Sequence, residues 1–237
     1  MPLDLAGNTV TSLGVKLLNN TSFITTNLKY LWDAGMSISY PGSGTSWYEF
    51  TDSTARTGTL TNGPVFSNLG GGSIYFDGSN DQVRFNTFDL GSTPWTVSFW
   101  IKTVGDGGLF SHWSGGPVYN GFAISGGRMQ YIYYNNAGWN YSPTSSTTVT
   151  TNTWQYITFV APSPTGSFLF YLNGVADGSF TPVSNGIGSG NMGVFGSMWD
   201  GGGQWGGYLA QCSIHSTNLS ASQILQNYNA QRQRFGV

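Results

Sequence analysis

Charge is what this sequence has least of. Only 8% of its 237 residues are Asp, Glu, Lys or Arg, where an ordinary globular domain carries about a quarter. Glutamate occurs once, at Glu49, and the eight Lys and Arg residues are scattered. No basic stripe is available to neutralise a run of phosphates, which argues against a nucleic-acid partner. Cysteine also occurs once, at Cys212, so an internal disulfide is excluded, and the two histidines give it no zinc-ligand spacing. The longest apolar runs fall far short of the roughly 20 residues that cross a bilayer as a helix, so no membrane span is expected. Met1-Pro2-Leu3-Asp4 has neither the basic start nor the apolar core of a signal peptide. The expectation is a protein that stays where it is made or leaves by a route other than signal-led secretion.

What is there in quantity is apolar, aromatic and glycine. Hydrophobic residues make up 39% and aromatics 16%, with 35 glycines and a net charge of −2. That is enough to build a core and does not fit disorder, which needs low hydrophobicity and high net charge. Ser, Thr, Asn and Gly must wet the surface in place of Lys and Glu. From Leu28 onward, short β runs are punctuated by Gly, Asn, Pro and Asp. Strands are expected at 73–76, 82–85, 95–102, 121–125, 129–134, 154–161, 166–172, 192–196 and 208–215. In the run from Thr96 to Lys102, Val97, Phe99 and Ile101 alternate with Thr96, Ser98, Trp100 and Lys102. This period of two predicts a core face and a second face on which Ser98 is a surface position. Asn173-Gly174 reads as a hairpin turn. Only 219–234 reads as a helix: Ser220 caps it, Gln223 stands three residues on, and Ile224, Tyr228 and Gln231 share a stripe. Many short strands and one terminal helix argue for an all-β, two-sheet antiparallel sandwich with a short C-terminal helix. Residues 1–27 read as an N-terminal arm, either an edge strand or an anchor to a neighbour, and residues 28–237 as the domain.

The order of motifs adds a resemblance. Leu31-Trp32-Asp33-Ala34-Gly35 leads to Ser39-Tyr40-Pro41-Gly42-Ser43-Gly44-Thr45-Ser46-Trp47-Tyr48, and Gly58-Thr59-Leu60-Thr61-Asn62-Gly63-Pro64 follows. Then come Ile74-Tyr75-Phe76-Asp77-Gly78-Ser79-Asn80-Asp81, Phe99-Trp100, Trp154-Gln155-Tyr156 and Phe170-Tyr171-Leu172-Asn173-Gly174. The series ends on 219–230, from Leu219-Ser220-Ala221-Ser222-Gln223-Ile224 to Asn229-Ala230. From about Leu28 to Phe235 this resembles the laminin G-like, concanavalin A-like jelly rolls of tailed-phage structural proteins. The resemblance implies a virion structural protein, as a tail fibre, baseplate or capsid decoration subunit, that displays the domain for host-surface or glycan attachment. It implies synthesis in the host cytoplasm, residence on the virion, and other virion proteins as partners through the N-terminal arm. The alternative is a free, lectin-like carbohydrate-binding module.

Catalysis finds little support. Glycoside hydrolysis needs two carboxyl groups at a set separation, and Glu49 stands alone in Trp47-Tyr48-Glu49-Phe50. Neither His112 nor His215 adjoins a nucleophile motif, and the odd spacing of Cys212 and His215 points them to opposite faces of a strand. No enzyme is expected. Asp77, Asn80 and Asp81 offer hard oxygens to calcium in one turn. Local turn chemistry accounts for the same residues, and for Asp106 and Asp200 beside glycines, without any metal. Sugar contact has better material, because aromatic planes with polar handles suit half-wet surfaces on loops. The segment carrying Tyr133, Tyr134, Asn135, Asn136 and Trp139 is one expected loop site, and that carrying Trp199 and Asp200 is another. Trp113 is a third contributor. Trp205 and Trp139 have a second reading, as core and as protein contact. An aromatic, charge-poor surface also suits self-association, so a homo-oligomer is expected.

Overall fold

The computed structural model describes residues 22–51, 57–85, 94–113, 119–135, 138–162, 166–181, 192–198 and 202–237. Strands are numbered in chain order. The back sheet runs β14 (Val175–Phe180), β13 (Phe168–Leu172), β12 (Gln155–Ala161), β7 (Trp95–Thr103), β16 (Gly206–His215), β5 (Ser73–Asp77) and β4 (Val65–Ser67). β1 (Leu28–Asp33) joins it by pairing with the second half of β16. The front sheet runs β11 (Gly138–Tyr141), β10 (Arg128–Asn135), β9 (Tyr119–Ser125), β8 (Gly107–Trp113), β15 (Met192–Phe195), β6 (Gln82–Phe85), β3 (Thr57–Thr61) and β2 (Ser46–Tyr48). All pairings are antiparallel, so the expected jelly-roll sandwich is the observed fold.

Between the sheets lies an aromatic interior. Trp95, Phe99, Phe110, Phe122, Phe159 and Phe195 are all buried there, and Phe110 stacks on Phe122 at 5.7 Å between ring centroids. At Asn173-Gly174 both residues take positive φ, 52° and 81°, as the tight hairpin between β13 and β14 requires. The strands at β1, β2, β3, β4, β8, β11 and β14 were not anticipated. Most are short or interrupted by glycine (Gly107-Gly108 in β8, Gly178 in β14), and that composition reads as loop.

The helix α1 (Ala221–Phe235) forms where the capping box predicts it. Ser220 Oγ accepts the Gln223 amide, and the Gln223 side chain accepts the Ser220 N–H in return. Gly236, at φ 71°, ends the helix in the left-handed conformation. Its apolar stripe lies on the outer face of the back sheet: Phe235 and Tyr228 stack on Trp100 at 4.0 and 5.7 Å, and Ile224 and Ala230 are buried beside them. Gln231 Oε1 accepts the Trp100 indole N–H at 2.8 Å and its amide donates to Gln211. Arg234 closes the seam by pairing with the buried carboxylate of Asp33 at 2.6 Å while donating to the carbonyls of Gly70 and Gly72.

This cover corrects the expected faces of β7. Ser98 is 1% exposed and Trp100 0%, so neither is a surface position. The alternation is real, but both sides are buried, one in the sandwich and one under the helix. Ser98 Oγ accepts from Thr158 Oγ1 at 3.0 Å in this second layer. Of the expected N-terminal arm, residues 22–27 run beside α1 and lead into β1, while residues 1–21, and with them any anchoring role, lie outside the described residues.

Candidate functional site

The segment expected as a binding loop at 133–141 is a β hairpin, β10–β11, and its strand alternation sorts the aromatic residues. Tyr133 points inward, is 3% exposed and stacks on Tyr131, which removes it from the candidate set. The backbone of Tyr134 pairs in register with Trp139 on one side and Tyr119 on the other, while its side chain lies outside the described residues, and Tyr119 pairs with Trp113. Trp113, Tyr119 and Trp139, from β8, β9 and β11, thus share one row across the outer face of the front sheet. Three strand spacings of about 4.8 Å make the row about 14 Å long.

Trp139 and Tyr141, two residues apart on the outermost strand, are 46% and 62% exposed. Behind them Tyr119 is buried, with its ring edge-on to Trp139 at 4.9 Å and its hydroxyl on the Met198 sulfur at 2.7 Å. Glycine makes this seat possible. A Cβ at Gly121 would lie 2.8 Å from the Tyr119 hydroxyl, and one at Gly108 would lie 2.9 Å from the Met198 sulfur. Tyr119, Ala123, Ile132 and Met198 form a small apolar cluster of their own outside the main core.

Met198 begins the second segment singled out from sequence. Its residues Trp199 and Asp200, and Asn136 of the first segment, lie outside the described residues. The side chain of Asn135 is likewise outside them, although its backbone pairs with Gly138. The structure therefore brings Trp113, Trp139 and the start of the Met198 segment to one face, with Tyr119 as the junction. Trp205, at the far end of that segment, is a core residue: its indole N–H donates to Thr103 Oγ1 at 2.9 Å and its ring meets Phe76. Tyr119 escaped the sequence reading because the strand was begun at Gly121. The alternation of Tyr119, Gly121 and Ala123 against Asn120, Phe122 and Ile124 was the available signal.

This face lacks carboxylates. Strands β8 to β11 contain no Asp or Glu. Glu49 is buried, and its Oε1 accepts the amides of Leu31 and Thr51 at 2.9 and 2.6 Å and the Thr51 hydroxyl at 2.5 Å. It ties β1 to the loop after β2. Cys212 lies in the main core and His215 on the opposite side of β16, as their spacing predicts. Burial pushes the Cys212 thiol well up, which keeps it protonated.

Asp77, Asn80 and Asp81 do come together in one turn. The Asp77 amide donates to Asp81 Oδ2 at 2.9 Å, the Ser79 amide to Asp77 Oδ1 at 2.7 Å, and Asn62 Nδ2 to the Asn80 carbonyl at 2.9 Å. Burial, more than the neighbouring Asp77, raises the Asp81 pKa. These bonds fit a self-braced turn better than a cation cage. Asp106 plays a similar part, accepting the amides of Gly126 and Gly127 at 2.6 and 2.9 Å. Among the described residues no group of three or more His, Cys, Asp or Glu side chains is placed to hold a metal ion.

Solved structures with the same architecture include domain 4 of AbnA, a GH43 extracellular arabinanase from Geobacillus stearothermophilus, in complex with arabinotriose. It is 17% identical at a TM-score of 0.68, covering 85% of this chain and 98% of that one. The botulinum neurotoxin type G receptor-binding domain is 15% identical at a TM-score of 0.65, covering 86% of this chain and 51% of that one. This chain therefore spans about half the length of that toxin domain. A SAP-like pentraxin from Limulus polyphemus is 21% identical at a TM-score of 0.52, covering 65% and 79%. At such identities the likeness is one of fold. A search of curated protein sequences gave no match. Residues 76–225 match the Laminin_G_3 model, described as the concanavalin A-like lectin/glucanases superfamily, and the chain belongs to that family.

Proposed function

We propose that this protein is a non-catalytic carbohydrate-binding jelly roll that takes a glycan across the aromatic row of its front sheet. The observation that carries this is the row itself, Trp113–Tyr119–Trp139, with Tyr141 exposed beside it. Sugar rings lay their C–H faces on such planes, while amides and hydroxyls at the rim take the hydroxyl groups. The absence of carboxylates from strands β8 to β11 favours binding over hydrolysis there. Calcium has no part in the proposal. The test is calorimetric titration of the intact protein with a panel of oligosaccharides, followed by Trp139→Ala. The variant is expected to bind about tenfold or more weaker, a loss of about 1.4 kcal/mol or above. An intact protein that binds none of the panel, or a variant that binds as well as the parent, contradicts the proposal.

For its setting we propose display on a virus particle, as a tail fibre, baseplate or capsid decoration subunit, in several copies and with other virion proteins as partners. The motif order and the charge-poor surface support this. So does the course of residues 22–24, which run along the helix on the back of the sandwich, away from the aromatic row. Attachment from one side and binding on the other is the geometry a displayed domain needs. Mass spectrometry of purified particles tests it, and absence of the protein from them leaves the free lectin-like module.

A further inference from the structure

The chain segment before β1 is held almost wholly through its backbone. The Ser22 carbonyl accepts from Gln226 Nε2 at 2.6 Å, the Ile24 amide donates to Asn227 Oδ1 at 2.7 Å, and the Ile24 carbonyl lies 2.8 Å from His215 Nε2. Gln226 and Asn227 belong to α1, and His215 is the last residue of β16. The Phe23 ring rests against the imidazole, 6.0 Å between centroids, and Ile24 packs on the hydrophobic layer under the helix.

His215 is the titratable member of this trio. A carbonyl only accepts, so Nε2 carries the proton and Nδ1 is left with its lone pair. Nδ1 is buried and has no hydrogen-bond partner. Protonation would place a charge and an unmatched donor at a buried atom with no acceptor beside it. The elements around the ring supply nothing to offset it. Residues 22–27, β7, β16 and α1 contain no Asp or Glu, and the residues paired with His215, Leu28 of β1 and Thr96 of β7, are uncharged. The one carboxylate of β1, Asp33, stands at the other end of the strand and is held by Arg234. The nearest cation along β1, Lys29, lies over the Tyr30 ring, and the other cations of these elements are Lys102 on β7 and Arg232 and Arg234 at the end of α1.

We propose that His215 is a pH-sensitive latch: neutral, it clasps Ile24 and holds the chain before β1 against the helix, and on protonation it lets that segment go. Burial lowers the His215 pKa and the bond to Ile24 only partly restores it. The sign follows from this. The released histidine takes a proton at the ordinary value of about 6.5, whereas the latched one resists until lower pH. The latch is therefore fully closed above the ordinary value. It weakens as pH falls through that value, and the loss levels off below the lowered one. Since the segment sits behind the sandwich, its release frees the tether without disturbing the aromatic row.

Hydrogen exchange tests this in the full chain, with the protection of the Ile24 amide compared at about pH 7.5 and about pH 5 after correction for intrinsic rates. Protection is expected to fall by about tenfold for each unit by which burial lowers the pKa, while the core amide of Phe99 stays protected. His215→Gln keeps a neutral donor and should show no such fall. Equal protection at both pH values, the same fall in the Gln variant, or a fall shared by Phe99 overturns the latch. Should His215→Gln not fold, the His215 ring titration in the unsubstituted protein decides: its midpoint must coincide with the loss of Ile24 protection. Protonation with Ile24 still protected is equally fatal.

Discussion

The two sheets carry aromatic rows on their outer faces, and the rows have opposite fates. On the back sheet, Trp100, Tyr156 and Tyr171 are buried beneath the helix, with Phe235 laid flat on Trp100. On the front sheet, Trp139 and Tyr141 stand in the open, and the aromatic residue most covered, Tyr119, is covered by its neighbour in the row and by Met198. The strands themselves do not differ in kind. What differs is whether a later piece of chain returns to cover them, and 15 C-terminal residues do so for one sheet. The back face has become a second core, whereas the front face keeps apolar planes at a wet surface, where a ligand rather than the chain can use them.

The comparison can be broken by mutation. The largest effect is expected at the helix seam. Trp100→Ala removes a ring packed against three others, those of Tyr156, Tyr228 and Phe235, and should destabilise the fold by about 3–5 kcal/mol in denaturant titration. A loss below about 1 kcal/mol would mean that the helix is only loosely applied. Next comes Arg234→Met, which leaves the Asp33 carboxylate buried without its cation. That should cost about 3–5 kcal/mol, and the double replacement Asp33→Asn with Arg234→Met should recover part of it. Ser98→Ala strands the Thr158 hydroxyl in the same layer and should cost about 1–3 kcal/mol, where a surface serine would cost about half a kcal/mol or less. Smallest of all is Trp139→Ala, with a change in stability of about half a kcal/mol or less, despite removing as much aromatic surface as Trp100→Ala.

That ranking also marks what was legible in the sequence. Local signals held: the capping box of Ser220 and Gln223 made the helix, Asn173-Gly174 made its turn, and the alternation in β7 made a strand. The fate of Ser98 was not legible, because the helix that buries it begins more than a hundred residues later, and period two says only that a strand has two faces. The burial of Tyr133 was not legible either, because it follows from the register of a hairpin whose second strand, Gly-Trp-Asn-Tyr, reads as loop. Trp139 and Trp205 sit in similar glycine-rich contexts. The β run that follows Trp205 gave it its core reading, and Thr103, one strand away, supplies the hydrogen-bond acceptor that takes it inside.

The most direct test of the central claim is a nuclear magnetic resonance titration of the intact protein with the oligosaccharide it binds best, read at the tryptophan indole N–H signals. The front row should respond, with the Trp139 and Trp113 signals shifting progressively to saturation. The Trp100 indole, bonded to Gln231 beneath the helix, and the Trp205 indole, bonded to Thr103 in the core, should stay where they are. Shifts confined to Trp100 or to the helix, or saturating binding that leaves Trp139 and Trp113 unmoved, would contradict the assignment of the front face as the binding face.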